Sequence, residues 1–170
     1  MHDAGLKMAG ELEIIDQVIA QHQIIRLNLQ GVQTSLTDFD ALFSLQKAQS
    51  GWAQSSVDKL HDQKRQMQES LDKVQKGLLG HFSYEEGILP PLFGEAFMKA
   101  LLFVHAEIMR QTEAVVATVN DSRLEEMGQK ELLEEKSRLH EATAALGEMV
   151  EQHANLEEQM LGMLKKAFQS

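Results

Sequence analysis

The sequence predicts an all-α fold, an antiparallel up-down-up-down four-helix bundle that forms a single domain over residues 1–170. Apolar residues recur at alternating spacings of three and four along four segments, which is the pattern of helices packed side by side. The chain has only 2 Pro, 1 Tyr and 1 Trp, so residues typical of strands and tight turns are scarce. Short connections between the four segments favour antiparallel neighbours.

The first two helices are expected to be long. The apolar periodicity continues through Gly31, which predicts one first helix of roughly 40 residues, with a break near Thr34–Thr37 as the alternative. Its apolar face, or seam, contains Ile15, Val18, His22, Ile25, Leu29, Val32, Leu36, Phe39 and Phe43. The first turn is expected around Gly51, and the second helix is expected to end before Pro90-Pro91 because proline cannot continue a helix interior. The second seam contains Val57, Leu60, Lys64, Met67, Leu71, Val74, Leu78, His81, Glu85 and Ile88.

The third and fourth helices are separated by a connection that is expected within residues 120–129. Ser122, with Glu125 three residues later, is typical of a helix start, whereas Gly128 lies nearer the midpoint between the two seams. The third seam contains Met98, Leu101, His105, Ile108, Thr112, Val115 and Val119. The fourth seam contains Leu132, Leu139, Ala142, Leu146, Met149, His153, Leu156, Met160 and Met163.

Composition excludes several classes of protein. The chain has no cysteine, which rules out disulfides, thiolate metal sites and cysteine nucleophiles. A net charge of −10 argues against nucleic acid or an anionic membrane as a partner. The longest apolar run, at 100–104, is much shorter than the roughly 20 residues of a membrane span, and the N-terminus lacks the features of a signal peptide. The expected location is therefore the cytoplasm.

The histidines are distributed in a pattern that favours a common site. Of the 7 histidines, His61 and His140 fall on other helix faces, and His2 precedes the first helix. In antiparallel neighbours, two residues at the same depth are about equally far from the turn. The midpoints between successive seam histidines fall in or beside the three connections, so these histidines are expected at one level of the bundle. They are His22, His81, His105 and His153.

Two of these histidines are followed by a carboxylate one helical turn later. His81 precedes Glu85 and His153 precedes Glu157, each at a spacing of four that puts both side chains on one face. The order His, His-x-x-x-Glu occurs twice along the chain, which predicts two metal ions side by side with Glu85 and Glu157 as bridges. Imidazole with carboxylate suits iron, manganese or zinc. The alternative is a metal-free structural bundle with hydrogen-bonded histidines, but burying these groups without a metal costs several kcal/mol.

The same residues resemble the hemerythrin-like, or HHE cation-binding, domains over essentially the whole chain. The most telling segment is His81-Phe82-Ser83-Tyr84-Glu85-Glu86-Gly87-Ile88-Leu89-Pro90, together with His22, His105 and His153-Ala154-Asn155-Leu156-Glu157-Glu158. The resemblance implies a four-helix bundle around two non-haem iron ions, joined by an oxo or hydroxo bridge. It implies terminal ligands from the four seam histidines and bridging carboxylates from Glu85 and Glu157.

One departure from the oxygen-carrying hemerythrins affects the expected function. Those proteins carry a second histidine four residues after the one on the third helix, and here that residue is Met109. The set of four histidines and two glutamates is similar to bacterial iron-centre repair proteins and hemerythrin-like sensors. The expected function is binding or sensing of a small gas, dioxygen or nitric oxide. The alternative is an iron-centre repair factor or a redox enzyme acting on nitric oxide, peroxide or ferrous iron, so the sequence leaves enzymatic activity open.

Residues around the predicted ligands are given lesser roles. Glu86 and Glu158 are interpreted as solvated groups or outer partners of the ligands, and a role of Glu158 as a ligand itself is left open. Tyr84 either donates a hydrogen bond to a bridging carboxylate or a bound oxygen species, or has a plain packing or surface role. The residues interpreted as ordinary core around the site are Met109, Met149, Met160, Met163 and Leu89.

Overall fold

The fold consists of four long helices. The computed structural model describes residues 2–48 and 54–169, with side chains for 9–34, 58–128 and 130–169. A short 3-10 helix, Leu124–Glu126, lies in the third connection. The long helices are α1 (His2–Ala48), α2 (Gln54–Ile88), α3 (Glu95–Asp121) and α4 (Gln129–Gln169). The all-α prediction is confirmed, and among the described residues no helix combines the length and apolar character that a bilayer span requires.

Most helix boundaries agree with the sequence pattern. Helix α1 is continuous, so the alternative break near Thr34–Thr37 is wrong. Helix α2 ends at Ile88, just before the two prolines, as predicted. The third connection lies within 120–129, where the Ser122 signal begins only the 3-10 turn and α4 starts at Gln129. The expected turn at Gly51 and the seam side chains of Leu36, Phe39, Phe43 and Val57 lie outside the described residues.

The core is divided into two main apolar clusters with a polar layer between them. The first cluster includes Ile25, Val32, Val74, Leu78, Ile108, Val115, Leu146 and Val150. The second cluster includes Ile15, Val18, Leu89, Met98, Leu101 and Leu161. Helices α1 and α3 run from the second cluster to the first, whereas α2 and α4 pass them in the reverse order. Each helix crosses the polar layer at its seam histidine.

Contacts between helices close the bundle around this core. Helix α1 contacts both α2 and α4, and α3 contacts the same two helices. The third connection is anchored to α2, because Leu124 and Leu132 pack against Leu60 and the Lys64 ammonium donates to the Asn120 carbonyl at 3.2 Å. The four seams therefore face one interior, as the periodicity predicts.

The fourth seam requires a correction. Leu156 is 61% exposed and Met163 is 64% exposed, so both are wrongly assigned to the core. Leu156 lies about 100° around the helix from Glu157, on the side away from the buried Ala154 and Leu161. The rotation of α4 that buries Glu157 turns Leu156 and Met163 outward. It buries Val150, Ala154 and Leu161 instead.

Two helical glycines are expected to respond differently to alanine. A Cβ at Gly147 in α4 meets nothing within 4 Å, whereas one at Gly31 in α1 would lie 3.3 Å from the Ser70 Oγ of α2. Alanine restricts the unfolded chain and favours the helix, so Gly147→Ala should raise the free energy of unfolding by about 0.5–1 kcal/mol. Gly31→Ala should gain less or lose stability, because Ser70 must move. Urea unfolding at one fixed metal loading tests this, and equal gains in both variants would contradict the close approach of α1 and α2.

Candidate metal centre

Six ionisable side chains from all four helices form the polar layer. All are buried, with exposed fractions between 0% for Glu85 and 8% for His153. Each helix contributes its seam histidine, and α2 and α4 add a carboxylate one turn later. The members of this six-residue cluster are His22, His81, Glu85, His105, His153 and Glu157. The structure thus brings together every residue that the sequence predicts for the site, while His61 and His140 are exposed elsewhere.

Glu85 lies at the centre of the cluster. Its Oε1 is 2.8 Å from the His81 Nε2 and 3.7 Å from the His22 Nε2. Its Oε2 is 3.3 Å from the His105 Nε2. One carboxylate therefore contacts imidazoles from three helices, and its two oxygens face different histidines.

Glu157 occupies a similar position between α1 and α4. Its Oε2 is 3.3 Å from the His22 Nε2 and 3.5 Å from the His153 Nε2. His153 lies four residues before Glu157 on the same helix, so the His-x-x-x-Glu spacing does place both groups on one face. The Glu157 carboxylate therefore lies between His22 of α1 and His153 of α4.

The inner atoms of the cluster have no hydrogen-bond partner. All four imidazole Nε2 atoms and all four carboxylate oxygens are buried and unpaired, although several lie close together. Buried polar atoms are nearly always paired, and leaving one unpaired costs about 1–3 kcal/mol. Eight such atoms converging on one place are typical of a site that binds cations.

The outer ring nitrogens explain why the inner ones face each other unpaired. The Nδ1 atoms of His22 and His105 donate to the carboxylates of Glu158 and Glu86, each at 3.0 Å. The Nδ1 of His81 donates to the Gln21 side-chain oxygen at 2.8 Å. In a neutral imidazole, a proton on Nδ1 leaves a lone pair on Nε2. Lone pairs of nitrogen and of carboxylate oxygen then point into the same space, where a bound cation would accept them.

The donor atoms fall into two groups that share one residue. The first group is formed by His22, His81, Glu85 and Glu157, and its ligand atoms all lie within 4.8 Å of one another. Glu85 also belongs to the second group, with His105 and His153, under the same limit. Imidazole nitrogen with carboxylate oxygen fits iron, manganese or zinc. The residues present therefore fit the metal that the sequence implies.

Protonation shows how the cluster behaves without a cation. Burial opposes a charged His22, but its contacts with Glu157 and Glu85 outweigh burial and raise its pKa to about 9. Burial raises the pKa of Glu157 to about 7, whereas three histidines outweigh burial at Glu85 and lower its pKa. Burial and repulsion from His105 lower the pKa of His153 to about 4. Bound protons thus occupy part of the cluster, and a metal ion must displace them.

An arginine outside the cluster supports the His22 side of it. The Arg26 Nη1 donates to Glu158 at 2.8 Å, and its Nε donates to Glu151 at 2.8 Å. Its Nη2 donates to Asn155 at 3.2 Å, so the guanidinium of α1 ties together three side chains of α4. Arg26 therefore holds Glu158 against the Nδ1 of His22.

Truncating Arg26 should weaken metal binding without removing a ligand. Without the guanidinium, Glu158 turns to solvent and no longer orients His22, so Arg26→Ala should lower metal affinity by about tenfold. Glu151→Gln is the matched control, because it removes the charge of another partner of Arg26 and leaves Glu158 in place. Competition with a chelator of known affinity measures both variants. Equal affinities for Arg26→Ala and the wild type would exclude this supporting role.

Sequence reasoning missed Gln21 and Arg26 as parts of the site. Both lie beside the α1 seam, so the apolar periodicity gives no signal for them. Position was the available signal, since Gln21 precedes His22 and Arg26 follows it by one turn. The interpretation of Glu86 and Glu158 as outer partners agrees with their contacts at Nδ1 atoms.

The remaining neighbours have packing or surface roles. Tyr84 donates to the side-chain oxygen of Gln17, at the surface, rather than to a carboxylate of the cluster. Phe82 stacks on His105 with ring centroids 3.8 Å apart, which helps to fix the orientation of that imidazole. Met109 and Met149 are partly buried against the first apolar cluster, as expected of core residues.

Comparison with known proteins agrees with this geometry. The sequence profile described as Hemerythrin HHE cation binding domain matches residues 13–164, a span that contains all six residues of the cluster. The chain belongs to the hemerythrin HHE cation-binding domain family. The resemblance noted in the sequence is thereby confirmed, and this hemerythrin-like domain is a metal-binding one with buried His/Glu donors. No curated protein and no solved structure shows a significant match to the chain.

Proposed function

We propose that this hemerythrin-like domain holds two iron ions and binds or senses dioxygen or nitric oxide at them. The observation that carries the proposal is that Glu85 belongs to two groups of donor atoms at once. In this proposal His22 and His81 bind one ion, and His105 and His153 bind the other. Glu85 and Glu157 bridge the two ions, with an oxo or hydroxo group as a further bridge.

The donor set supports two ions rather than one. A single ion at the first group would leave His105 and His153 with buried, unpaired Nε2 atoms, at the cost that such atoms carry. A second ion would bind both Nε2 atoms, together with the Glu85 Oε2 that lies 3.3 Å from the His105 Nε2. Carboxylate-bridged pairs in helical bundles are usually iron or manganese, and zinc is the third metal that this chemistry suits.

The second group supports an open position for a gas. In this proposal each ion has two histidines and the two bridging glutamates, and the ion at the second group lacks the additional histidine of the oxygen-carrying hemerythrins because residue 109 is methionine. Apolar clusters close off the layer towards both ends of the bundle. When bound, a ferrous pair of this kind supplies electrons to a small ligand.

The architecture that goes with this function is an antiparallel up-down-up-down bundle in one domain over residues 1–170. The opposite order of the two apolar clusters along α1 and α3 compared with α2 and α4 supports alternating helix directions. A single polar layer shared by all four helices supports one domain rather than two.

Metal content and visible spectra test the function. Protein purified without chelators should contain about two irons per chain, as expected for a pair bridged by carboxylates. The reduced protein should gain an absorption band with dioxygen or nitric oxide and lose it when the gas is removed. A chain that takes up no metal would support the metal-free structural bundle and overturn the proposal.

The alternative function is an iron-centre repair factor or a di-iron redox enzyme. Methionine at position 109 favours it, because a missing histidine changes the ligand count and hence the reactivity of the iron. The same spectra separate the two functions. Irreversible oxidation accompanied by turnover of nitric oxide, peroxide or ferrous iron would favour the alternative over reversible binding.

A further inference from the structure

A groove between α3 and α4 leads from the surface to the candidate metal centre. Its volume is about 270 Å³. His153 and Glu157 form part of its wall, together with the exposed side chain of Gln152. The rest is largely apolar and comes from Phe97, Leu101, Val104, Met149, Leu156 and Met160.

The buried polar residues of the wall have atoms without hydrogen-bond partners. His153 is 8% exposed and Glu157 is 2% exposed, and the His153 Nε2 and both Glu157 oxygens lack hydrogen-bond partners. His153 belongs to the group of donors that has three side chains. Glu157, the other buried member of the wall, belongs to the first group, so the groove reaches the centre beside residues of both groups of donors.

The size of the groove exceeds what a diatomic gas needs. A single water requires about 10–15 Å³ of comparable space, and pockets for organic ligands begin near 300 Å³. The groove of about 270 Å³ lies just below that range and far above the space of one water, so it has room for a small organic molecule. The rotation of α4 that exposes Leu156 also leaves an apolar wall open, and Val104 on the opposite helix is 38% exposed.

The charges around the groove indicate what the polar end of that molecule must do. Among the described residues that line it, there is no lysine or arginine to pair with an anionic group. Two divalent cations keep a net positive charge after two glutamates and a hydroxo bridge are counted, so the centre itself is the available partner. A carboxylate end would bind only when the metal is present.

We propose that the α3/α4 groove binds a small amphiphile, an apolar chain of medium length ending in a coordinating oxygen group such as a carboxylate. The oxygen end reaches the centre beside His153 and Glu157, and the chain lies along the apolar wall. This inference rests on the proposed function, because it needs metal at the second group of donors.

Binding of octanoate to the iron-loaded and the metal-free protein tests the proposal. Calorimetry measures affinity, and the visible spectrum reports contact with iron. Azide serves as a small anion without a chain. Ala100→Trp fills the groove from an exposed position of α3, and Ala114→Trp is the matched control at an exposed position of the same helix outside the groove.

The expected pattern separates the chain from the coordinating end. Octanoate should bind the iron-loaded protein and shift its spectrum, and Ala100→Trp should weaken this binding at least about tenfold. Ala114→Trp should leave it unchanged, and azide should bind wild type and both variants equally. Equal octanoate affinity in Ala100→Trp, or in the metal-free protein, would overturn the proposal. Azide binding without octanoate binding would overturn only the proposal that the groove binds an amphiphile. Failure to take up iron would overturn both this proposal and the proposed function.

Discussion

Glu85→Ala should lose most of its bound metal, because it removes the one carboxylate that both groups of donors share. We expect the metal content to fall below about a quarter of the wild-type value. A ligand present at 1,000 times its dissociation constant stabilises a fold by about 4 kcal/mol, so the midpoint of thermal unfolding should drop by about 10 °C in a chain of this size. Metal analysis and thermal unfolding of the same sample measure both effects.

His81→Ala should behave in the same way, since its Nε2 lies 2.8 Å from Glu85 in the first group. Glu69→Ala is the matched control, because Glu69 is an exposed glutamate of the same helix, far along α2 from the cluster. Unchanged iron in both Glu85→Ala and His81→Ala would refute the ligand assignment. A loss in Glu69→Ala as large as theirs would mean that the variants act through helix stability.

In the metal-free protein, the two carboxylates should respond to glutamine in opposite directions. Glu157 has a pKa of about 7, above the ordinary value of 4.5, so its ionised form destabilises the fold, and this penalty grows as pH rises from 4.5 through 7. Glu85 has a lowered pKa, so its ionised form stabilises the fold above the ordinary pKa, and this contribution is lost as pH falls. Near pH 8, Glu157→Gln should therefore gain, and Glu85→Gln should lose, on the order of 2 kcal/mol.

Urea unfolding of the chelated variants at several pH values measures this contrast. The gain in Glu157→Gln should shrink towards pH 5, where the carboxyl of the parent protein is already protonated. In the metal-loaded protein, both variants should instead lose stability, because each lacks a carboxylate that we propose as a bridging ligand. The same sign for both variants in the metal-free protein would contradict the opposite pKa shifts.

The sequence was sufficient to predict the polar layer because its members lie on the helix seams. His22, His81, His105 and His153 each occupy a position that the apolar period assigns to the interior. The spacing of four that follows His81 and His153 selects Glu85 and Glu157 from many glutamates. All seven predicted seam residues of α3 are buried, since α3 is the shortest of the four helices and its apolar period is regular.

Other features depend on tertiary packing that periodicity does not encode. The exposure of Leu156 and Met163 depends on how far α4 is rotated about its axis. The sequence pattern constrains this angle only to within about 100°, the rotation between consecutive residues. Gln21 and Arg26 act through partners on other helices, so no local pattern marks them. The α3/α4 groove arises from the same rotation and could not be predicted from either helix alone.

The placement of the polar layer between two separate apolar clusters has a consequence for local opening. Each end of the bundle has its own apolar core, while the middle is joined mainly by buried ionisable groups whose inner atoms lack hydrogen-bond partners unless an ion is bound. Loss of the ion should therefore loosen the bundle at the polar layer. Backbone amides near His81 and His153 should then exchange with deuterium sooner than those flanking Leu71 or Leu146.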